Sequence, residues 1–156
     1  MADGIVTTDG LVVKERDSGE AARILSIFTR ELGLVSVYAA GIRYEKSKLR
    51  YHTQLYNLAT FSLVPGKEHW RLVGAITSSR PARSLATLAR VAALVRRFLG
   101  PDEAHPELFD SIIMGQHNDP YLSLGVMEML GYVGIRPESR DEAEALLDQA
   151  VRASHL

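Results

Sequence analysis

From Ile5 to about Ser79, short apolar stretches rich in Val, Ile, Leu, Tyr and Phe alternate with glycines and turn residues. That spacing predicts five strands, Gly4 to Lys14, Ala22 to Arg30, Leu34 to Ile42, Gln54 to Val64 and His69 to Thr77. Asp17-Ser18-Gly19 separates the first pair, Glu31-Leu32-Gly33 the second, and Pro65-Gly66-Lys67 the fourth and fifth, so hairpins follow from short loops. A longer polar connection, Arg43 to Thr53, lies between the third and fourth strands. Within it Glu45 to Arg50 has room for one or two helical turns but shows no apolar stripe. Five strands with a long insert after the third are the chain order of a small OB barrel.

After Arg80-Pro81 the period becomes helical. Leu85, Leu88, Val91, Ala92, Val95 and Leu99 recur at spacings of three and four, and Gly100-Pro101 follows as a stop. The switch is expected between about Thr77 and Ser84, with Leu85, Leu88 and Val95 buried. Pro106 can open a second helix that runs to about Met114, and Asp119-Pro120 a third that stops near Gly131. Ser139-Arg140-Asp141-Glu142 is a capping box ahead of Ala143, Leu146, Leu147, Ala150 and Val151, which predicts a fourth, amphipathic helix. The expected fold class is α+β: an N-terminal five-stranded OB-fold barrel, residues 1–79, followed by a small C-terminal helical domain, residues 80–156.

Composition narrows the function. With 156 residues, 46% of them apolar and 24% charged, the chain is of the ordinary globular kind. It has no cysteine, which excludes a disulfide framework, a thiol nucleophile and a thiolate zinc site, and fits a reducing compartment. The first ten residues lack the basic start of a secretory signal, and no apolar run reaches the length of a membrane span. A cytoplasmic protein without a membrane partner is the expectation. The net charge of -1 hides a division near Gly100. Residues 1–100 carry 15 Lys+Arg against 8 Asp+Glu, a net of +7, and residues 101–156 carry 3 against 11, a net of -8. Such asymmetry points the first part toward an anionic partner such as a nucleic-acid backbone, although two solvated faces balancing each other would give the same numbers.

The familiar catalytic signatures are missing: no Gly-x-Ser-x-Gly elbow, no phosphate loop, no Gly-x-Gly-x-x-Gly and no His-Glu-x-x-His. The five histidines are scattered, and no two share i, i+3 or i+4 spacing on one predicted helix, so no metal or cofactor is expected. The run Arg43-Tyr44-Glu45-Lys46-Ser47-Lys48-Leu49-Arg50-Tyr51-His52 is the one that carries binding chemistry, with four cations and two tyrosines in ten residues. Cations neutralise phosphate charge and rings stack on bases, a mixture suited to single-stranded nucleic acid. The bland reading is a solvated loop whose tyrosines close the barrel mouth. Candidate DNA-binding residues are Arg43, Tyr44, Lys46, Lys48 and Arg50, with Arg30 as a further cation. Trp70 and Phe61 read as core or barrel wall.

Several segments together resemble the N-terminal domain of the bacterial recombination mediator RecO family. They are Gly10-Leu11-Val12-Val13-Lys14, Ser18-Gly19-Glu20, Phe28-Thr29-Arg30-Glu31-Leu32-Gly33 and Ala39-Ala40-Gly41-Ile42-Arg43 with Lys46-Ser47-Lys48-Leu49-Arg50. Gln54-Leu55-Tyr56-Asn57-Leu58, Gly66-Lys67 and Met129-Leu130-Gly131-Tyr132 leading to Pro137 resemble its later segments. The resemblance implies a non-enzymatic DNA repair and recombination mediator that binds single-stranded DNA, anneals complementary strands and helps load recombinase. Its partners would be the single-strand-binding protein, through its acidic C-terminal tail, and the ring-forming mediator RecR. Two departures stand out. Many members insert a four-cysteine zinc module after the Leu-Gly-Tyr segment and continue into further helices, whereas this chain has no cysteine and one last predicted helix, which bears on both partner contacts. The family also places a basic residue where Ala40 stands, which leaves Arg43, Lys46 and Lys48 as the matching cations. The rival reading is a protein-interaction adaptor of a repair complex, with the barrel as scaffold and no direct DNA binding.

Overall fold

The computed structural model describes residues 4–78, 84–114, 121–131 and 138–153. Five strands, β1 (Val6–Ser18), β2 (Ala22–Thr29), β3 (Gly33–Ala39), β4 (Leu58–Val64) and β5 (Trp70–Thr77), close into a barrel in the order β1-β2-β3-β5-β4. Every neighbouring pair is antiparallel except β3 and β5, which pair in parallel through Val37–Trp70 and Tyr38–Arg71. This closure and chain order are those of an OB barrel, as expected from the sequence.

Several boundaries differ from the pattern-based reading, by three or four residues at β1, β3 and β4, and β3 stops at Ala39, short of Ile42. β1 continues past Lys14 to Ser18, because residues 14 to 18 remain in register with Ser26 back to Ala22 across the hairpin. β4 begins at Leu58 rather than Gln54. Ahead of it Tyr56 takes φ 65 and the chain makes a single 3-10 turn at Arg50–His52, which starts on the last residue of the Glu45 to Arg50 stretch that has room for helical turns. A residue in the left-handed region cannot sit in an extended ladder, so the apolar Leu55 and Tyr56 misled the strand reading.

The barrel wall serves two cores. Its inward residues, among them Val12, Leu25, Ile27, Val37, Phe61 and Leu63, fill the interior. A register shift between Val12 and Lys14 puts Val13 with Leu11, Phe28 and Leu58 on the outer wall, where these four join the helices in a second cluster. Phe28 meets Phe109 edge to face, with ring centroids 5.5 Å apart at 68°.

The helices are α1 (Leu85–Phe98), α2 (Pro106–Met114), α3 (Tyr121–Met129) and α4 (Arg140–Ala153). The Ser84 Oγ caps α1 by accepting the Thr87 N–H at 3.2 Å. Leu88 and Val95 are buried, as the spacing implies, but Leu85 is 70% exposed. It is the first helical residue, and burial on α1 begins only at Thr87 and Leu88, so the opening turn projects past the packed surface. Pro106 opens α2 as expected, whereas the Asp119-Pro120 start lies outside the described residues. Gly131, at φ 85, ends the α3 segment by donating its N–H to the Glu128 carbonyl at 3.0 Å. At α4 the Ser139 Oγ accepts the Glu142 N–H at 3.2 Å, and the Glu142 carboxylate accepts the Glu138 N–H at 3.0 Å, one residue before the usual capping-box donor.

Barrel and helices are also tied through backbone and charge. Leu34 bridges Pro101, and its carbonyl accepts the Asp102 N–H at 3.3 Å. Gly33 stands here at φ 74, and any Cβ would run into the Glu103 carbonyl. The Arg30 guanidinium binds Asp110 of α2 through two parallel hydrogen bonds of 2.9 and 3.0 Å.

Candidate nucleic-acid interface

The connection from β3 to β4 crosses the mouth of the barrel. Ile42 is buried, and Leu49 and Leu55 pack on the interior core, so the intervening polar residues point outward. Tyr44 is 61% exposed and Tyr51 71%, and Lys46, Lys48 and Arg50 are exposed between them. Tight turns space these side chains. The Tyr44 N–H donates to the Gly41 carbonyl, Ser47 to Tyr44 and His52 to Leu49, at 3.0 to 3.1 Å.

Both ends of the loop are pinned. At the first, the Arg43 N–H donates to the Ala21 carbonyl at 2.9 Å, and its guanidinium donates to the Gly19 carbonyl at 3.0 Å. Arg43 also lies 3.6 Å from Asp17, which Arg23 holds at 3.1 Å. At the second, the His52 Nδ1 accepts the Thr77 N–H at 3.0 Å, which leaves the ring proton of the neutral form on Nε2. The Asn57 amide, itself buried, donates to the His52 carbonyl at 2.8 Å and to the Thr77 hydroxyl at 3.0 Å. The loop is therefore a braced lid over the mouth rather than a free tether.

Of the six residues chosen from sequence, the fold brings five together on this loop. Tyr44, Lys46, Lys48 and Arg50 present themselves to solvent, and among the described residues no acidic side chain pairs with the three cations. Arg43 is part of the brace. Arg30 is elsewhere, beyond the far end of β2, a strand of about 25 Å from the loop's anchor near Ala21. Its planar fork is taken up by Asp110 and by Glu31 at 2.9 Å, and hydrogen bonding to these carboxylates raises its pKa further. In return the Arg30 guanidinium holds the Asp110 carboxyl below the usual carboxylate range.

The outer wall beside the loop carries polar groups that the sequence reading did not single out. Lys14 and Arg16 on β1, Tyr38 on β3 and Arg71 on β5 are exposed there. Period-two alternation marks Lys14 with Arg16 and Ser36 with Tyr38 as outward pairs, but only the β3–β5 closure brings Arg71 beside them. In the helical part, α1 and α4 flank a groove of about 420 Å³ with Leu94, Leu147 and Val151 in its wall and Arg90, Arg97, Arg152 and Asp148 around it. Among the described residues no three His, Asp or Glu side chains gather as metal ligands, and no helix is long and apolar enough to cross a membrane.

A closed barrel with this strand order, a basic lid over its mouth and helices against its outer wall defines the class: an OB-barrel protein with an attached helical part. The chain belongs to the family described as Recombination protein O N terminal, whose sequence profile matches residues 1–85. Among similar proteins, the DNA repair protein RecO of Desulfitobacterium hafniense is 30% identical over 159 residues, covering 90% of this chain and 56% of that one. The protein of the same name from Dehalococcoides mccartyi is 30% identical over 150 residues, covering 86% and 58%. That of Heliobacterium modesticaldum is 32% identical over 144 residues, covering 82% and 51%. The chain thus spans between half and three-fifths of the length of these curated relatives.

Proposed function

We propose that the chain acts in DNA repair and recombination as a non-enzymatic module that binds single-stranded DNA, promotes annealing of complementary strands and helps load recombinase. The observation that carries this reading is the braced loop, which holds Lys46, Lys48 and Arg50 outward with no acidic partner among the described residues and sets Tyr44 and Tyr51 beside them. A braced backbone loses little freedom when phosphates arrive, and exposed rings offer stacking faces to unpaired bases. Arg43 sits at the loop's root, where it adds positive potential and holds the loop in place. Membership of the family, and relatives named DNA repair protein RecO, support the setting.

The test is binding of a fluorescent oligonucleotide as salt is raised. Each phosphate contact releases counterions, so three or four contacts give a slope of log affinity against log salt of roughly -2 to -3 on single strands. Reversing Lys46 and Lys48 to Glu flattens that slope by about one or more and weakens binding alike for all base sequences. Unchanged affinity and slope in a folded double variant would contradict the reading.

The groove between α1 and α4 favours a second, compatible reading as a partner-docking module. Apolar walls with three arginines against one carboxylate, Asp148, suit an acidic peptide with apolar side chains, which is the chemistry of the single-strand-binding protein's C-terminal tail. RecR is the other partner of this reading, with no residue assigned to it. If a tail peptide bound in calorimetry, Arg152→Glu, at an exposed position on the groove, should weaken that binding and leave oligonucleotide affinity unchanged. An adaptor without DNA contact would bind the peptide and show no affinity for oligonucleotides.

A further inference from the structure

Backbone register aligns Arg16 of β1 with Ile24 of β2, Ile24 with Tyr38 of β3, and Tyr38 with Arg71 of β5. These four positions form one row on the outer wall, across three inter-strand steps or about 14 Å. Arg16 and Arg71 are exposed at its two ends, Tyr38 is 36% exposed between them, and Ile24 is half-buried beside the ring. Among the described residues neither guanidinium has an acidic partner. The carboxylates nearest Arg16 in sequence, Glu15 and Asp17, are engaged by Arg23 and Arg43, so they do not neutralise it. The Arg71 stem passes over Gly66, within van der Waals reach of where a Cβ would stand there, which leaves its head clear of any side chain from that position.

We propose that this row is the part of the interface that selects single strands: one unpaired base stacks on Tyr38, and the phosphates on either side of it go to Arg16 and Arg71. The inference rests on the single-strand-binding reading above and deepens it by assigning the discrimination against duplex. Loop cations meet phosphates in either form of DNA. A ring standing in a strand can act only on a base whose face is free, and within a duplex, away from its two terminal pairs, both faces of each base are occupied by its neighbours. Tyr38 is suited to that task because its backbone is fixed by ladder bonds on both sides, so little order is lost when a base settles on it.

The experiment is fluorescence anisotropy of the full chain with a single-stranded oligonucleotide and with the duplex of the same sequence, over a series of salt concentrations, the two forms being compared at the lowest. Tyr38→Ala is expected to weaken single-strand binding on the order of ten-fold and to leave duplex binding within about two-fold. Tyr38→Phe keeps the ring and is expected to behave as wild type with both. Arg16→Glu with Arg71→Glu is expected to weaken single-strand binding and to flatten its salt slope by about one. This pair carries the test if Tyr38→Ala fails to fold. If Tyr38→Ala and the arginine pair leave the single-strand preference unchanged while Lys46→Glu with Lys48→Glu still weakens binding, the row is outside the DNA path and only this inference falls. Should the loop reversal also change nothing, the single-strand-binding reading falls with it.

Discussion

The outer wall of the barrel is built from the same strands at both ends, yet the two ends do opposite things. Toward one end Leu11, Phe28 and Leu58 face outward and are sealed under the helices, with Phe109 against Phe28. Toward the other, along the same β1 and β2, the outward positions become Lys14, Arg16, Ile24 and Ser26, and among the described residues no helix covers them. The change occurs at the Val12–Lys14 irregularity, where Val13 gives β1 one more apolar outward residue before the polar ones begin. One half of the wall is thus committed to stability, and the other is free to meet a charged partner. The division also explains the charge asymmetry in part. The acidic second part needs little contact with phosphate if its role on the barrel is to cover the apolar half, and one of its carboxylates, Asp110, is used to clasp Arg30.

Substitution on the two halves should separate them sharply. Phe28→Ala removes a fully buried ring from the shared cluster and should cost about 3 to 5 kcal/mol in urea unfolding, whereas Tyr38→Ala on the open half should change stability by only about 0.5 kcal/mol. Similar losses at both sites would mean that the open half is covered in solution. Gly33→Ala tests the backbone seam between barrel and helices. It places a side chain at φ 74 against the Glu103 carbonyl and should cost about 1 to 3 kcal/mol, read as a lower unfolding midpoint.

The polar clasp on the covered half predicts a smaller effect, with a definite sign. Because Arg30 depresses the Asp110 pKa in the folded state, the unfolded chain binds that proton more readily. The contribution of Asp110 is therefore fully present at neutral pH and is lost as pH falls below about 4, through the depressed folded-state value. Asp110→Asn should be less stable than wild type at pH 7, and the gap should narrow in acid. The effect is modest because both side chains keep substantial contact with water. Smallest of all is the response to chelation. EDTA should leave the melting temperature where it is, and a drop restored by zinc would reveal a histidine–carboxylate site.

Much of this arrangement was legible in the sequence because it is local. Period-two stretches gave the five strands, Pro106 and Ser139 marked helix starts, and the cation–tyrosine run marked the loop. What failed was set by long-range contacts. Leu85 fits the apolar stripe of α1, but only the docked helix shows that burial begins at Thr87 and Leu88 and leaves Leu85 exposed. Arg30 looks like any strand-end cation until α2 brings Asp110 to it, 80 residues away in the chain. Arg71 and Tyr38 sit on different predicted strands, and their adjacency follows from the one parallel pairing in the barrel, which no local pattern encodes.

The most direct test of the account is to map where an oligonucleotide lies on the barrel, by following backbone amide shifts in an NMR titration with a short single strand. The account predicts shifts on the open half and its lid, at Lys14 to Ile24, Tyr38 to Tyr51 and around Arg71, with Leu11, Phe28 and Leu58 unaffected. Shifts confined to the groove between α1 and α4, or none at all at low salt, would contradict it.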